Sequence, residues 1–107
     1  MSMTAFSAFD VLAEPSRREI LELLRDGERP VSELVDHLNL SQPAVSKHLR
    51  VMKNAGLVEV RPDAQQRFYR ICPEPLEQLA EWLEPYRKFW TTHLDRLESH
   101  LDQRRKQ

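Results

Sequence analysis

Cysteine and glycine are nearly absent from this sequence, and no stretch of it is both long and apolar. Cys72 is the only cysteine, which excludes an internal disulfide and a cysteine-rich zinc site. The two glycines, Gly27 and Gly56, leave no glycine-rich loop of the kind that cradles phosphates. No apolar run approaches the roughly 18 residues that cross a bilayer, so no membrane partner is expected. The opening "MSMTAFSAFD" lacks a basic region and a long apolar core, so it does not read as a secretion signal, and the expected location is the cytoplasm. Catalytic constellations are missing too. Ser46 and His48, two apart on a helix, point different ways, and no acidic pair stands ready for acid–base chemistry. No catalytic residue and no cofactor is assigned, and an enzyme is not expected.

What is present fits one small domain. A chain of 107 residues is sized for a single core and often leaves apolar surface for a partner subunit. With 40% hydrophobic and 31% charged residues it has the balance of a globular protein rather than a disordered one. The net charge of −1 argues against a nucleic-acid partner until its distribution is read. Between Ser41 and Arg70, six cations (Lys47, Arg50, Lys53, Arg61, Arg67 and Arg70) oppose only Glu59 and Asp63. That segment is formally +4 and the remainder −5. An acidic body carries a basic middle.

Helical periodicity dominates the first half. Phe6, Phe9 and Leu12 share one side of a short helix that must stop before Pro15. Pro15 suits a first helical turn, Ile20, Leu21, Leu23 and Leu24 supply an apolar stripe, and Gly27 offers a left-handed stop after Asp26. Pro30 and Val31 look extended, Ser32 is a candidate N-cap, and Leu34, Val35 and Leu38 form the buried edge of a helix of barely two turns. After the short turn "NL", Ser41 can cap the next helix, Pro43 is tolerated in its first turn, and Val45, Leu49 and Met52 recur at spacings of four and three. Asn54 to Gly56 ends it. From Leu57 the period changes: Val58 and Val60 alternate with Glu59 and Arg61, "PDAQQ" turns, and Phe68 to Ile71 returns as a second strand. After "CPEP", Leu76, Leu79, Ala80 and Leu83 make a helix that Pro85 either restarts or kinks. Phe89, Trp90, Leu94, Leu97 and Leu101 then line a long amphipathic helix before the polar tail.

The segment "SQPAVSKHLRVMKNAGLV" holds the chemistry. With Val45, Leu49 and Met52 turned inward, Pro43, Lys47, Arg50 and Asn54 project roughly opposite, with Ser46 and Lys53 on one flank. A short helix, a tight turn and a second helix with an amide- and cation-bearing outer face have the build of a helix-turn-helix reader whose N-terminal end enters the major groove. Gln42 can pair with base-edge donors and acceptors, Lys47 and Arg50 suit guanine acceptors or phosphates, and Ser41 with free helix N–H groups can hold a phosphate. The hairpin supplies a second arm, with Arg61, Gln65, Gln66 and Arg67 clustered near its tip. Candidate DNA contacts are therefore Ser41, Gln42, Pro43, Ser46, Lys47, Arg50, Arg61, Gln66 and Arg67. Arg70 has the alternative of pairing within the sheet, and Phe68 and Tyr69 read as wing support. An exposed basic helix face on its own is as readily solvated charge; the wing and the charge asymmetry favour the reader.

Three stretches, "LAEPSRREILELL", "VSELVDHLNLSQPAVSKHLRVMKNAGLV" and "RFYRI", resemble consecutive signatures of the ArsR-type winged-helix repressors over residues 12–71. The tail "LAEWLEPYRKFWTTHLDRLESHL" further resembles a non-metal-sensing branch of that family. The resemblance implies a homodimer on operator DNA, acting as a repressor, commonly of its own operon; periodicity alone implies only a basic winged helix. The expected architecture is mainly α with a two-stranded β-hairpin wing, one winged-helix domain over residues 1–107, with a reader helix about 41–54, a wing about 57–72 and C-terminal dimerisation helices about 75–103. Trp90, Leu94, Leu97 and Leu101, spaced four, three and four, suit a pairing seam, joined by Phe89 and by Phe6 and Phe9 of the first helix.

Many members of the family release DNA on binding a metal, through cysteines before the reader or through acid and histidine ligands on the last helix. Where the cysteine pair would align, this sequence reads Pro30, Val31 and Ser32, none of which offers a thiolate. His93 and His100 share a face of the last helix, but Arg96 and Leu97 lie between them and a guanidinium there opposes a bound cation. No metal ligand is assigned; the two histidines read as interface or surface residues, His37 and His48 as helix-flank residues, and no inducer is identifiable. A winged helix serving as a protein-interaction module is the alternative function.

Overall fold

The computed structural model describes the backbone of residues 3–106 and the side chains of residues 8–103. Helices α1 (Met3–Leu12) and α2 (Pro15–Leu24) lead into a two-residue strand β1 (Arg29–Pro30), the pair α3 (Val31–Leu38) and α4 (Gln42–Asn54), the hairpin β2 (Val58–Asp63) and β3 (Gln66–Ile71), and the long helix α5 (Pro73–Lys106). The fold is a winged helix-turn-helix.

Local chemistry sets the boundaries. Pro15 occupies the first turn of α2, where its missing N–H costs nothing, and the Glu14 carboxylate accepts from the Ser16 N–H at 3.4 Å. Ser41 caps α4: its Oγ accepts from the Ala44 N–H at 3.3 Å, and Pro43 follows in the first turn. At the other end of α4 the Leu57 N–H reaches the Met52 carbonyl and the Gly56 N–H the Lys53 carbonyl, both at 2.9 Å. Gly56 supplies the left-handed φ of +79° this cap requires, and Met52 and Leu57 meet in the core beneath it. Asn39 at φ +55° makes the tight turn between α3 and α4.

Buried side chains from every layer form one core: Ala8 and Val11 from α1, Ile20 and Leu24 from α2, Leu34 from α3, Val45, Leu49 and Met52 from α4, then Leu57, Val58 and Tyr69. The three stripe residues of α4 are completely buried, so the opposite face of that helix has nowhere to point but outward.

The expected two-stranded hairpin wing is present as β2 and β3, and a third strand joins its sheet in the order β1-β3-β2, because Arg29 and Pro30 pair with Tyr69 and Phe68 on the free edge of β3. Two expectations need correction. Ser32 is not an N-cap: the cap position falls two residues earlier, at Pro30, and α3 takes no side-chain cap. The C-terminal helix does not restart at Pro85: it is one element of 34 residues with that proline inside it, the other of the two outcomes left open being a kink. A helix of that length spans about 50 Å at 1.5 Å per residue. It stretches the molecule to 65 × 32 × 20 Å, with a radius of gyration of 18.4 Å where a compact chain of this size has about 13 Å.

Candidate nucleic-acid interface

The outward face of α4, the hairpin tip and the start of α3 form the walls of one open groove. From α4 come Gln42, Pro43, Ser46, Lys47, Arg50, Lys53 and Asn54; from the wing, Gln65, Gln66, Arg67 and Tyr69; from α3, Val31 and Ser32 after Pro30. The groove holds four cations and, among its lining residues, no carboxylate. None of Lys47, Arg50, Lys53 and Arg67 forms an ion pair among the described residues. Amides and a hydroxyl, Gln42, Ser46, Asn54 and Gln66, stand between the charges.

The opposite face of the wing is arranged the other way. Arg70 pairs with Glu59 across the hairpin, as one of the two sequence alternatives had it. Arg61 donates from Nη2 to Glu28 Oε1 at 2.5 Å and from Nε to Glu28 Oε2 at 3.3 Å, and its Nη1 lies 3.5 Å from Asp63 Oδ2. Its guanidinium sits 4.9 Å from the centroid of the Phe68 ring. The hydrogen bonds from Arg61 hold the Glu28 carboxyl below its ordinary range.

Of the nine residues proposed from sequence, Gln42, Pro43, Ser46, Lys47, Arg50, Gln66 and Arg67 meet in the groove. Ser41 stands at its end as the cap of α4, and Arg61 is turned away from it. Lys53, Asn54 and Gln65, which the sequence placed on the outer side of the reader helix and at the hairpin tip but not among those nine contacts, also line it. The signal for Lys53 was its position three residues after Arg50 on the same helical face.

A second surface lies along α5. Leu76 and Leu79 pack against the core, but beyond them Trp82, Leu83, Tyr86, Phe89, Trp90, Leu94, Leu97 and Leu101 are exposed, Phe89 to 68%. Phe9 meets Trp82 edge-to-face at 5.1 Å and Trp82 meets Tyr86 at 5.0 Å, so Phe9 is partly covered within its own chain. The side chain of Phe6 lies outside the described residues. Trp82, Leu83 and Tyr86 extend the proposed seam toward the body; Trp82 lies seven residues before Phe89 on one helical flank, and that spacing was its signal in the sequence. Among the described residues no group of three or more histidine, cysteine or acidic side chains is placed to hold a metal ion, and His93 instead stacks on Phe89. Among them, too, no helix is long and apolar enough to cross a membrane.

Residues 14–60 match the model of the bacterial regulatory proteins of the arsR family. An HTH-type transcriptional regulator of Mycobacterium tuberculosis is 42% identical over 81% of this chain and 78% of its own. The chain belongs to the arsR family. As an arsR-family protein it is a transcriptional regulator, not an enzyme. The transcriptional repressor SdpR of Bacillus subtilis is 29% identical to this arsR-family chain over 72% of it and 86% of its own length. A Mycobacterium bovis protein, solved in solution as a homodimeric winged helix-turn-helix DNA-binding domain, is 28% identical and superposes with a TM-score of 0.65, covering 79% of each chain. The matched family segment runs from the start of α2 to the middle of β2 and so contains the whole of α4.

Proposed function

We propose that this protein is a homodimeric repressor that binds an inverted-repeat operator in double-stranded DNA, in the cytoplasm, with its own promoter as the first candidate site. One observation carries the reading: four cations without ion-pair partners line one groove, while Arg61 and Arg70 on the other face of the wing are neutralised internally. A polyanion is the ligand that such a groove would bind. Gln42, Pro43, Ser46, Lys47 and Arg50 would meet base edges and phosphates in the major groove, the Ser41-capped end of α4 would face a phosphate, and Gln66 and Arg67 would reach the flanking backbone or minor groove. The homodimer named for the M. bovis neighbour and the repressor named for the B. subtilis relative support the remaining parts. The exposed seam of α5, Phe89, Trp90, Leu94, Leu97 and Leu101, with Phe9, is the surface proposed to close the dimer.

The test is a gel-shift titration on a duplex enriched by this protein from a random-sequence pool. Arg50→Ala should weaken binding by about 1–3 kcal/mol, roughly five- to 150-fold, and relax preference at one base position. Lys47→Ala should weaken all duplexes alike and lower the salt slope by about one. Both variants should remain dimers by sizing. Unchanged affinity in both would refute the assigned face.

A further inference from the structure

We infer that Arg61 is a positioning residue: with Glu28 it forms a staple across the sheet that fixes the angle of the wing over the α4 groove, and it does not touch DNA. This inference rests on the DNA-binding reading of that groove. Three strands meet in one row of the sheet, Pro30 of β1 beside Phe68 of β3 beside Arg61 of β2. The Arg61 side chain starts on the outer edge of the hairpin, passes over the Phe68 ring, and ends in a two-pronged contact with Glu28, the residue before β1. It thus spans the full width of the sheet on the face turned away from the groove.

Its far end is anchored in turn. Arg29, the neighbour of Glu28, donates from Nε to the Leu23 carbonyl at 2.6 Å and from Nη1 to the Glu33 carboxylate at 3.0 Å. Those contacts tie the segment to the end of α2 and the first turn of α3. The wing, by contrast, has few attachments of its own: residues 61–67 are all exposed, and the buried contacts of the hairpin lie at its base, at Val58 and Tyr69. A two-stranded ribbon held only at one end is free to twist, and loosely held β-ribbons are marginal in water. The planar fork of an arginine suits a bidentate carboxylate and an aromatic face at once, which a lysine does not. With Nε and Nη2 on Glu28, Nη1 near Asp63 and Phe68 beneath, every nitrogen of Arg61 has a partner in the free protein.

Glu28→Ala separates this role from a direct contact. Removing a carboxylate strengthens binding to a polyanion if charge alone matters, and it also frees Arg61 for a phosphate. The staple requires the opposite. On the duplex enriched by the wild-type protein, Glu28→Ala and Arg61→Ala should each weaken binding about three- to tenfold with the salt slope unchanged, and the double variant should be no weaker than either. Amide hydrogen exchange across residues 58–71 of the free protein should quicken in both single variants. An affinity gain in Glu28→Ala, or a drop of about one in the salt slope of Arg61→Ala, overturns the staple while leaving DNA binding intact. Unaltered exchange across the wing overturns it as well. Thermal melting checks that each variant folds; loss of the fold in Arg61→Ala would leave Glu28→Ala to decide. If Lys47→Ala and Arg50→Ala bind as the wild type does, the DNA reading fails, and the positioning role with it.

Discussion

The six cations of the central segment divide by what surrounds them. Lys47, Arg50, Lys53 and Arg67 are solvated and available, whereas Arg61 and Arg70 are spent on carboxylates. Helical spacing made Lys47, Arg50 and Lys53 legible, because a stripe as regular as Val45, Leu49 and Met52 fixes which side chains face away from it, and Arg67 was legible from its place near the hairpin turn. Arg61 was not legible. Its partner Glu28 lies 33 residues away, beyond the reach of any periodicity, and the third strand that brings it close is two residues long. Cys72 shows the same dependence on surroundings. Burial first, then the carboxylates of Glu59 and Glu74, push its thiol pKa up, so its thiolate fraction between pH 7 and 8 falls below that of an ordinary cysteine. Alkylation of the folded protein should accordingly be slower than that of the unfolded chain across this range. Its rate should still climb with pH where the unfolded chain has levelled off. Equal rates and profiles in folded and unfolded protein would show that the fold does not restrain the thiol.

Among the elements, α5 departs furthest from a local reading. Proline lacks the N–H that would bond the carbonyl of residue 81 and crowds that carbonyl, so the sequence expects a restart or a kink at Pro85, and the helix does not restart there. The apolar stripe nevertheless keeps phase across it: Leu79, Leu83, Tyr86 and Trp90 follow at four, three and four, so both halves of the helix present one continuous face. That register was present in the sequence and outranks the single breaker. Only the first part of the face is used within the protomer, by Leu76 and Leu79 against the core and by Phe9 against Trp82. Leu97, half exposed between Leu94 and Leu101 in the unused part, is a position where a charge should harm pairing and not the domain core. Leu97→Glu should run as a monomer in sizing columns while retaining helical circular dichroism, since a carboxylate buried without a partner opposes association but not the domain core. Operator affinity should fall with it by about 10²–10⁴, the advantage that linking two readers confers. A dimer that survives Leu97→Glu would move the interface elsewhere.

At the scale of the whole molecule, the two surfaces answer to one geometry. A long helix carrying the proposed pairing seam, fixed to a body that carries the proposed reader, would set the distance between two readers once two such helices pair. For each α4 to enter the same face of a duplex, that distance must be about 34–36 Å, one helical turn of 10–10.5 base pairs. Inserting five base pairs between the half-sites of the enriched duplex would turn one half-site to the far side and add about 17 Å, at 3.4 Å per step. Neither error can be absorbed if the two long helices pair along their exposed faces as proposed, so affinity should drop to the level of a single half-site. Ten inserted base pairs restore the facing but not the distance, so they too should fail to recover binding. Recovery at ten would mean a joint between seam and reader able to stretch by one turn of DNA, and indifference to both insertions would mean that each protomer binds alone.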